Sequence, residues 1–455
     1  MPSRRRKSKT SALFPRSFLK TFPQAVRGRG CRLWDAQGQK YLDLAGSAAV
    51  NLIGHGVQEI SAAMARQARQ LEFVHSSQFT TRVAEEFAAE VLAFAGPAYR
   101  GGSVYFTCGG SEAVETALKL ARQYQVEIGE QQRFRILSRK QSYHGATLGA
   151  IAVGGNLRRR ELYLPMARRA EPFEQVNPPY CYRCRYACND CARRYSDEVA
   201  EAIAASRGEA AAFIFEPASG ATLGGATPPS GYVERVAAVC RRAGVLLIAD
   251  EVMTGFGRTG RNFAVEHWQV APDILVCGKG IASGYAPLGA VIAKRHVVQA
   301  IARGSGAFVH GFTYNAHPVA MAAGRAVLQR MRQHKLVARA AAAGAMLAAE
   351  LEMLRDCPSV GDVRGIGLLR GVEFVADRGS KQPFDPALNF AGWVAEAAAR
   401  RGVLVYPIQG CVDGHAGDHL LLAPPATIAR REIVAAVEHL QGAIAEAERR
   451  AVRPR

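Results

Sequence analysis

The most informative stretch of the sequence is residues 245–279, which read VLLIADEVMTGFGRTGRNFAVEHWQVAPDILVCGK. It opens with a run, 245–249, that is too apolar for an edge strand and that continues directly into Asp250. A second apolar run, 274–277, continues into Lys279, which lies between two glycines. We predict two buried strands, each of which delivers one charged side chain at the point where it stops.

Three more apolar runs precede this stretch, at 103–107, 134–138 and 212–215, and helical patterns alternate with them. Such alternation predicts an α/β fold whose central sheet is mostly parallel. Ligands of such sheets bind beyond the carboxyl ends of the strands. We therefore expect Asp250 and Lys279 to contribute to one site at that edge.

The character of the sequence changes after residue 330, where Ala-rich helical patterns surround a β segment at 363–375 and a strand at 402–406. Residues 31–44 predict a hairpin around a Gln37-Gly38 turn, packed near this second domain. We divide the chain into four parts: a basic, disordered tail (1–30), an N-terminal part of a small domain (31–60), a large domain that holds the predicted ligand site (61–330, with a Cys-rich insertion at 177–195) and the C-terminal small domain (331–455).

Composition and charge narrow the class of protein. Hydrophobic residues make up 49% and charged residues 21% of the chain, and no apolar run reaches the roughly 20 residues of a membrane helix. The net charge is +19, of which nine charges lie in residues 1–30, so the body is only mildly basic. Nothing like the apolar core of a secretory signal follows these basic residues. We expect a cytoplasmic protein with no membrane contact.

The sequence around the two charged residues suits covalent chemistry on an amine. Glycines beside Lys279 let the backbone approach a ligand closely, and partial burial with a neighbouring cation would free its amine lone pair at neutral pH. A third element, Gly109-Gly110-Ser111, precedes a helical pattern and predicts a phosphate cradle of free N–H groups. The cradle alone is weak evidence, but it accompanies the lysine and the acid.

Over roughly residues 30–440 the sequence resembles the class III aminotransferases, pyridoxal phosphate enzymes of fold type I. The resemblance is carried by residues 247–260, LIADEVMTGFGRTG, by Pro272-Asp273-Ile274 and by Gly278-Lys279-Gly280, in the order and spacing of the family signature. It implies an α/β large domain with a mostly parallel sheet and a smaller α/β domain built from both ends of the chain. It also implies pyridoxal 5'-phosphate as the cofactor.

The resemblance assigns a role to each motif residue. Lys279 would carry the cofactor as a Schiff base and move the substrate's α proton, while Asp250 would keep the pyridine nitrogen protonated. The other implied cofactor contacts are a phosphate cup (Gly110, Ser111), a ring sandwich (Tyr143, Val252), a hydrogen-bonding acid (Glu216) and a threonine reaching the phosphate from the partner subunit (Thr313). The last of these implies a homodimer.

Two departures from the family pattern bear on the substrate. Members that handle α-ketoglutarate through a glutamate switch carry a Glu where this chain has Ala221, and they pair it with an arginine that is missing from 410–425. The ω-aminotransferase branch fits better, which predicts transfer from an amine or ω-amino acid to a keto acid or aldehyde. Met253 stands where the family often has glutamine. The alternative is another pyridoxal enzyme of this fold: an aminomutase, epimerase or decarboxylase.

Four of the ten cysteines are clustered, with the spacing C-x2-C-x3-C-x2-C at Cys181, Cys184, Cys188 and Cys191. Two C-x2-C pairs suggest a structural, non-catalytic zinc ion, but the three-residue spacer is shorter than zinc modules use; free thiols or a redox pair are the alternative. With the basic tail, this cluster also raises the alternative of a nucleic-acid-binding protein. The charge distribution argues against that alternative, because the body of the chain carries little of the excess.

Overall fold

The computed structural model describes residues 12–167, 173–186 and 189–452. Its strands are β1 (Ala25–Arg29), β2 (Arg32–Asp35), β3 (Lys40–Asp43), β4 (Ser103–Thr107), β5 (Arg135–Arg139), β6 (Phe173–Val176), β7 (Ala210–Phe215), β8 (Leu246–Asp250), β9 (Ile274–Cys277), β10 (Gly289–Ala293), β11 (Val360–Ile366), β12 (Leu369–Phe374), β13 (Val403–Leu404), β14 (Tyr406–Gln409) and β15 (Asp418–Leu422).

Helices connect and cover these strands. They are α1 (Gly46–Ala49), α2 (Gln58–Gln70), α3 (Arg82–Ala95), α4 (Gly110–Glu127), α5 (Leu148–Val153), α6 (Leu157–Arg160), α7 (Leu164–Ala167), α8 (Cys191–Ala205), α9 (Tyr232–Ala243), α10 (Arg295–Arg303), α11 (Pro318–Gln333), α12 (Leu336–Leu351), α13 (Phe390–Arg400) and α14 (Arg430–Val452). The segment labelled α1 is a single left-handed turn, since its residues have positive φ. No helix in the described part of the chain is both long and apolar enough to cross a membrane.

The described strands include a seven-stranded sheet in the order β4-β10-β9-β8-β7-β5-β6. Strands β6, β5, β7, β8 and β9 pair in parallel, and β10 alone runs antiparallel to both of its neighbours. The central strands β7, β8 and β9 are buried along their whole length, as their continuous apolar sequences require. The α/β fold and the mostly parallel sheet are therefore as predicted.

The five predicted strands of this sheet are present with small shifts. Strands β4 and β9 have the predicted bounds, whereas β5, β7 and β8 differ by one or two residues. Two further strands were not predicted. Strand β6 is short and lies at the sheet edge, and β10 runs against its neighbours, so neither follows the strand–helix alternation from which the sheet was inferred.

Two four-stranded sheets complete the structure, in the orders β1-β2-β3-β13 and β11-β12-β15-β14. Strands β2 and β3 form the expected hairpin, and β3 pairs in parallel with β13. Residues from near the two ends of the sequence therefore share one sheet. Strand β1 lies inside the stretch 1–30 that we assigned to a basic tail, and the first 11 residues of that stretch lie outside the described part. The domain boundaries stay predictions.

Candidate active site

A cavity of about 160 Å³ lies at the carboxyl edge of the seven-stranded sheet. It brings together seven of the residues that the sequence singled out: Gly110, Ser111, Tyr143, Glu216, Asp250, Val252 and Lys279. The remaining lining residues are His144, Gly145, Ala218, Met253 and Thr254. The eighth residue, Thr313, is exposed and is not part of this lining. The carboxyl ends of the strands thus converge on one site, as the parallel arrangement requires.

Lys279 follows β9 in a short 3₁₀ turn. Its backbone φ is +44°, a value that residues other than glycine rarely adopt. Its neighbour Gly278 leaves room for the loop, since a Cβ there would lie 3.1 Å from Val252 Cγ1. Burial lowers the pKa of the Lys279 amine to about 8, and the nearby charge of Asp250 opposes this shift. With a pKa of about 8, a minor fraction of the amine is neutral at pH 7, and no described residue hydrogen-bonds to it.

Asp250 ends β8 with a side chain that is only 4% exposed. Its Oδ2 lies 2.7 Å from Nδ1 of His144, and its Oδ1 accepts a hydrogen bond of 3.1 Å from the Val252 N–H. The His144 ring is itself buried, and its Nε2 has no partner among the described residues. This arrangement fixes the orientation of the carboxylate and holds it toward the cavity.

The Gly110-Ser111 segment opens α4, an 18-residue helix, and both residues line the cavity. The first N–H groups of a helix have no partner within the helix and lie at the positive end of its dipole. A Cβ on Gly110 would approach Val252 Cγ1 to 2.9 Å, so only glycine fits there without movement. The Ser111 hydroxyl accepts a hydrogen bond of 3.0 Å from the Ala146 N–H. Free N–H groups, a hydroxyl and the helix dipole together suit a phosphate group.

Glu216 follows β7 and is almost fully buried. Its Oε2 accepts from the Tyr143 N–H at 3.1 Å and its Oε1 from the Gly220 N–H at 3.0 Å. Burial raises the pKa of this carboxyl group, and the charge of Asp250 adds to the effect. Glu216 therefore holds the loop carrying Tyr143 in place beside the cavity, which suits a hydrogen-bonding role.

These residues fit pyridoxal phosphate. The cavity offers an amine of lowered pKa for the aldehyde and a buried carboxylate for the ring nitrogen. A helix N-terminus with a hydroxyl suits the phosphate, and Tyr143 and Val252 in the cavity wall suit the two ring faces. The functional assignment of each residue stays a prediction, because the placement alone does not test its role.

Sequence reasoning assigned no role to two buried residues, His144 and Arg258. His144 was recognised only as part of the Tyr143 motif, although a histidine next to a predicted cofactor-stacking tyrosine is a usable signal. Arg258 is fully buried and donates from Nη1 to the carbonyls of Ala423 and Pro424 and from Nη2 to that of Asn51. No local pattern reveals these partners, since they lie more than 160 residues away in sequence.

The zinc prediction gains no support. Within the described ranges no group of three or more His, Cys, Asp or Glu residues is arranged to hold a metal ion. The Sγ atoms of Cys184 and Cys191 lie 2.8 Å apart, and Cys181 is exposed. Cys188, the remaining predicted ligand, lies outside the described residues.

Comparison with known proteins identifies the family. The family model described as aminotransferase class-III matches residues 14–444. The uncharacterized aminotransferase YodT of Bacillus subtilis (strain 168) is 38% identical over 443 residues, covering 97% of this chain and 99% of its own length.

Two solved structures are similar in both sequence and fold. An (S)-enantioselective omega-transaminase from Thermomicrobium roseum is 36% identical, with 96% of each chain covered and a TM-score of 0.88. An amine transaminase from an uncultivated Pseudomonas species, in a PLP-bound form, is 34% identical, with 97% of this chain and 100% of that chain covered and a TM-score of 0.89. The sequence match and the shared fold agree, and this chain belongs to the class-III aminotransferase family.

Proposed function

We propose that this aminotransferase moves an amino group from an amine or ω-amino acid to a keto acid or aldehyde, with pyridoxal 5'-phosphate carried by Lys279. The observation that supports it most directly is the shared cavity, in which the amine of Lys279 and the carboxylate of Asp250 face one enclosed space. When bound, the cofactor accepts the electron pair left behind when the substrate loses its α proton.

The roles of the two charged residues follow from their surroundings. With a pKa of about 8, Lys279 is partly neutral at physiological pH, so its amine can bond to an aldehyde and later accept a proton from the substrate carbon. Asp250, held by His144, provides a buried negative charge for a protonated ring nitrogen. The same carboxylate raises the pKa of the Lys279 amine, so the two residues are electrostatically linked.

The remaining residues bind and orient. Gly110 and Ser111 would hold the phosphate at the start of α4, while Tyr143 and Val252 would contact the two faces of the ring. Glu216 would position the Tyr143 loop through its hydrogen bonds.

The substrate preference rests on what surrounds the cavity. Ala218 and Met253 line it, and they belong to an apolar cluster that includes Ala49 and Tyr406. At the position of the family's switch glutamate, Ala221 is buried and its carbonyl lies 3.2 Å from Nε2 of His419. An apolar wall and the missing charge pair disfavour an α-ketoglutarate mode and favour amines.

A homodimer is part of the proposal. Thr313 is exposed, and it would reach the phosphate of the second subunit. Large apolar side chains in the N-terminal segment are also exposed, namely Phe14 (85%), Phe18 (72%) and Leu19 (94%). A second copy of the chain would remove such surface from water. A cytoplasmic location and a structural zinc ion stay predictions, and metal analysis of the protein with and without the four clustered cysteines tests the latter.

The test is to supply an amino donor alone. A transaminase consumes about one equivalent of amine per active site, releases one carbonyl product, and stops until a keto acid is added. An aminomutase, epimerase or decarboxylase continues to turn over without an acceptor. Multiple turnovers with the donor alone, measured by mass spectrometry of donor and product, would therefore contradict the proposal.

A further inference from the structure

Three consecutive arginines form most of the short helix α6, and their side chains differ in their partners. The Arg158 guanidinium donates to Oε1 of Gln409 at 2.6 Å, and that of Arg160 donates to the Gly154 carbonyl at 2.8 Å and to Oε1 of Gln175 at 2.9 Å. Arg159 is different. Among the described residues its guanidinium makes no hydrogen bond or ion pair.

The Arg159 guanidinium instead lies over an aromatic ring of the active site. Its Cζ atom is 4.5 Å from the centroid of the Tyr143 ring, and Tyr143 lines the cavity that contains Lys279. The backbone of Arg159 is held as well, because its N–H donates to the side chain of Asn156 at 3.2 Å. The charge of Arg159 therefore lies over a ring that lines the same cavity as Lys279.

The charge of Arg159 also acts on the cavity. Two arginines, Arg258 and Arg159, help to lower the pKa of Lys279. The Arg258 side chain is fully buried and bonded to three backbone carbonyls, so it has little capacity for a ligand. Arg159 is half-buried, and its five N–H donors are not committed to any described residue.

We propose that Arg159 binds the carboxylate of the substrate at the end remote from the amino group, which makes ω-amino acids the preferred donors over simple amines. The Arg159 guanidinium lies over the Tyr143 ring and none of its N–H donors is used by a described residue, so its planar fork can bind two carboxylate oxygens. The region 410–425 holds no arginine, so the substrate carboxylate requires a cation from elsewhere, and α6 supplies it.

The inference rests on the proposed function, and it concerns the substrate rather than the cofactor. A carboxylate directly beside the reacting carbon would need a cation next to Lys279. Arg159 lies over Tyr143 and is not among the residues that line the cavity with Lys279, and this placement suits a carboxylate separated from the amine by a short chain. The proposal therefore distinguishes a 6-aminohexanoate-like donor from its neutral amide.

The experiment compares the holoenzyme and its Arg159→Gln variant on 6-aminohexanoate and 6-aminohexanamide, which differ only in the charged end group. For the acid, kcat/KM is expected to fall by at least about tenfold, mainly through KM, because a charged hydrogen-bonded contact is lost. For the amide it should change by less than about twofold. Arg159→Lys is expected to retain part of the preference, since it keeps the charge without the planar fork.

The neighbouring Arg158→Gln variant is the matched control, and it should leave the preference for the acid unchanged. A readout that needs no turnover is the binding of hexanoate and hexanamide to the holoenzyme by calorimetry, in which only hexanoate should weaken in Arg159→Gln. If kcat/KM of Arg159→Gln fell equally for the acid and the amide, or fell for neither, the proposal would be overturned.

Weaker binding of pyridoxal phosphate in Arg159→Gln would also overturn it, because it would assign the guanidinium to the cofactor phosphate. These outcomes are distinct from failure of the proposed function. If the wild-type protein transfers no amino group from any amine or ω-amino acid, the proposed function fails, whereas uniform kinetics on acid and amide refute the role of Arg159 alone.

Discussion

Two groups of buried charges in this protein have opposite properties. Around the cavity, burial lowers the pKa of Lys279 and raises that of Glu216, so both groups are shifted toward their neutral forms. Beside the sheet β11-β12-β15-β14, Glu373 is also fully buried, but it pairs with Nε of Arg183 at 2.7 Å and Nη1 of Arg364 at 2.8 Å. Burial alone would raise the pKa of Glu373, but these arginines outweigh it and hold the pKa below its ordinary value.

The difference separates residues placed for a reaction from residues that stabilise the fold. We call Glu373, Arg183 and Arg364 the ion group. It joins the predicted Cys-rich insertion, through Tyr180 and Arg183, to strands β11 and β12, and Arg364 also donates to the Leu223 carbonyl at 2.7 Å. Its charges are satisfied by one another. The Lys279 amine makes no hydrogen bond to a described residue and its pKa is shifted by burial, and groups with shifted pKa values are typical of functional sites.

The largest expected effect is on the cavity side. Lys279→Ala should lower the rate of amino transfer by at least about 10⁴-fold, since under the proposed function it removes both the covalent attachment and the base. Product formation measured by mass spectrometry tests this expectation. The control variant is Lys140→Ala, which removes an exposed lysine on the loop after β5 and should leave the rate of amino transfer unchanged. Restoration of some activity by added methylamine would exclude misfolding as the cause, and near-normal transfer without such an amine would refute the assignment.

On the ion-group side the expected effect is on stability. Arg364→Ala removes one partner of the buried Glu373 carboxylate and should lower the free energy of unfolding by about 3 kcal/mol. Chemical denaturation monitored by fluorescence measures the change. Lys20→Ala breaks the exposed pair with Glu396, 2.8 Å between Lys20 Nζ and Glu396 Oε1, and should cost less than about 1 kcal/mol. Equal shifts for the two variants would show that the buried group is not structural.

A smaller effect, on kcat/KM, is expected for His144, which contacts the cavity residue Asp250. His144→Ala removes a hydrogen bond to a charged group, so kcat/KM should fall about tenfold to a hundredfold. His144→Asn can still donate a hydrogen bond and should recover part of the loss. If the Ala and Asn variants were equally impaired, the contact with Asp250 would not be the reason.

The cavity could be predicted from sequence because its residues follow strands in a parallel sheet. Asp250 and Lys279 each come directly after an apolar run, and the carboxyl ends of parallel strands meet at one edge. The local sequence is therefore sufficient to predict the position of the site. The family resemblance added the roles of Tyr143 and Glu216, which local patterns alone would not assign.

The ion group could not be predicted in the same way. Tyr180 and Arg183 are about 190 residues from Glu373 in sequence, and their pairing depends on how the Cys-rich insertion packs. The three arginines of α6 show the same limit, because identical neighbours in sequence have different partners in space. A side chain's partner is a property of the tertiary structure, not of its local pattern.

The smallest effect tests the electrostatic character of the cavity directly. In the apoenzyme, the rate at which a limiting amount of acetic anhydride acylates Lys279 should follow the neutral fraction of the amine, with a midpoint near pH 8 rather than the ordinary 10.5. Peptide mass spectrometry across a pH series measures it, with urea-unfolded protein as the control. Asp250→Asn removes a charge that raises this pKa, so its midpoint should move further down.

The direction of the pH dependence is set by the same shift. Because the folded-state pKa lies below the unfolded value, the unfolded chain holds the additional proton between about pH 8 and 10.5, and the contribution of Lys279 to stability rises with pH across that window. The contribution of Glu373 has a different window: its folded-state pKa is depressed, so the stability it provides is lost as pH falls through that pKa. A folded-state labelling midpoint near 10.5 would place the Lys279 amine in water and remove the contrast between the two groups.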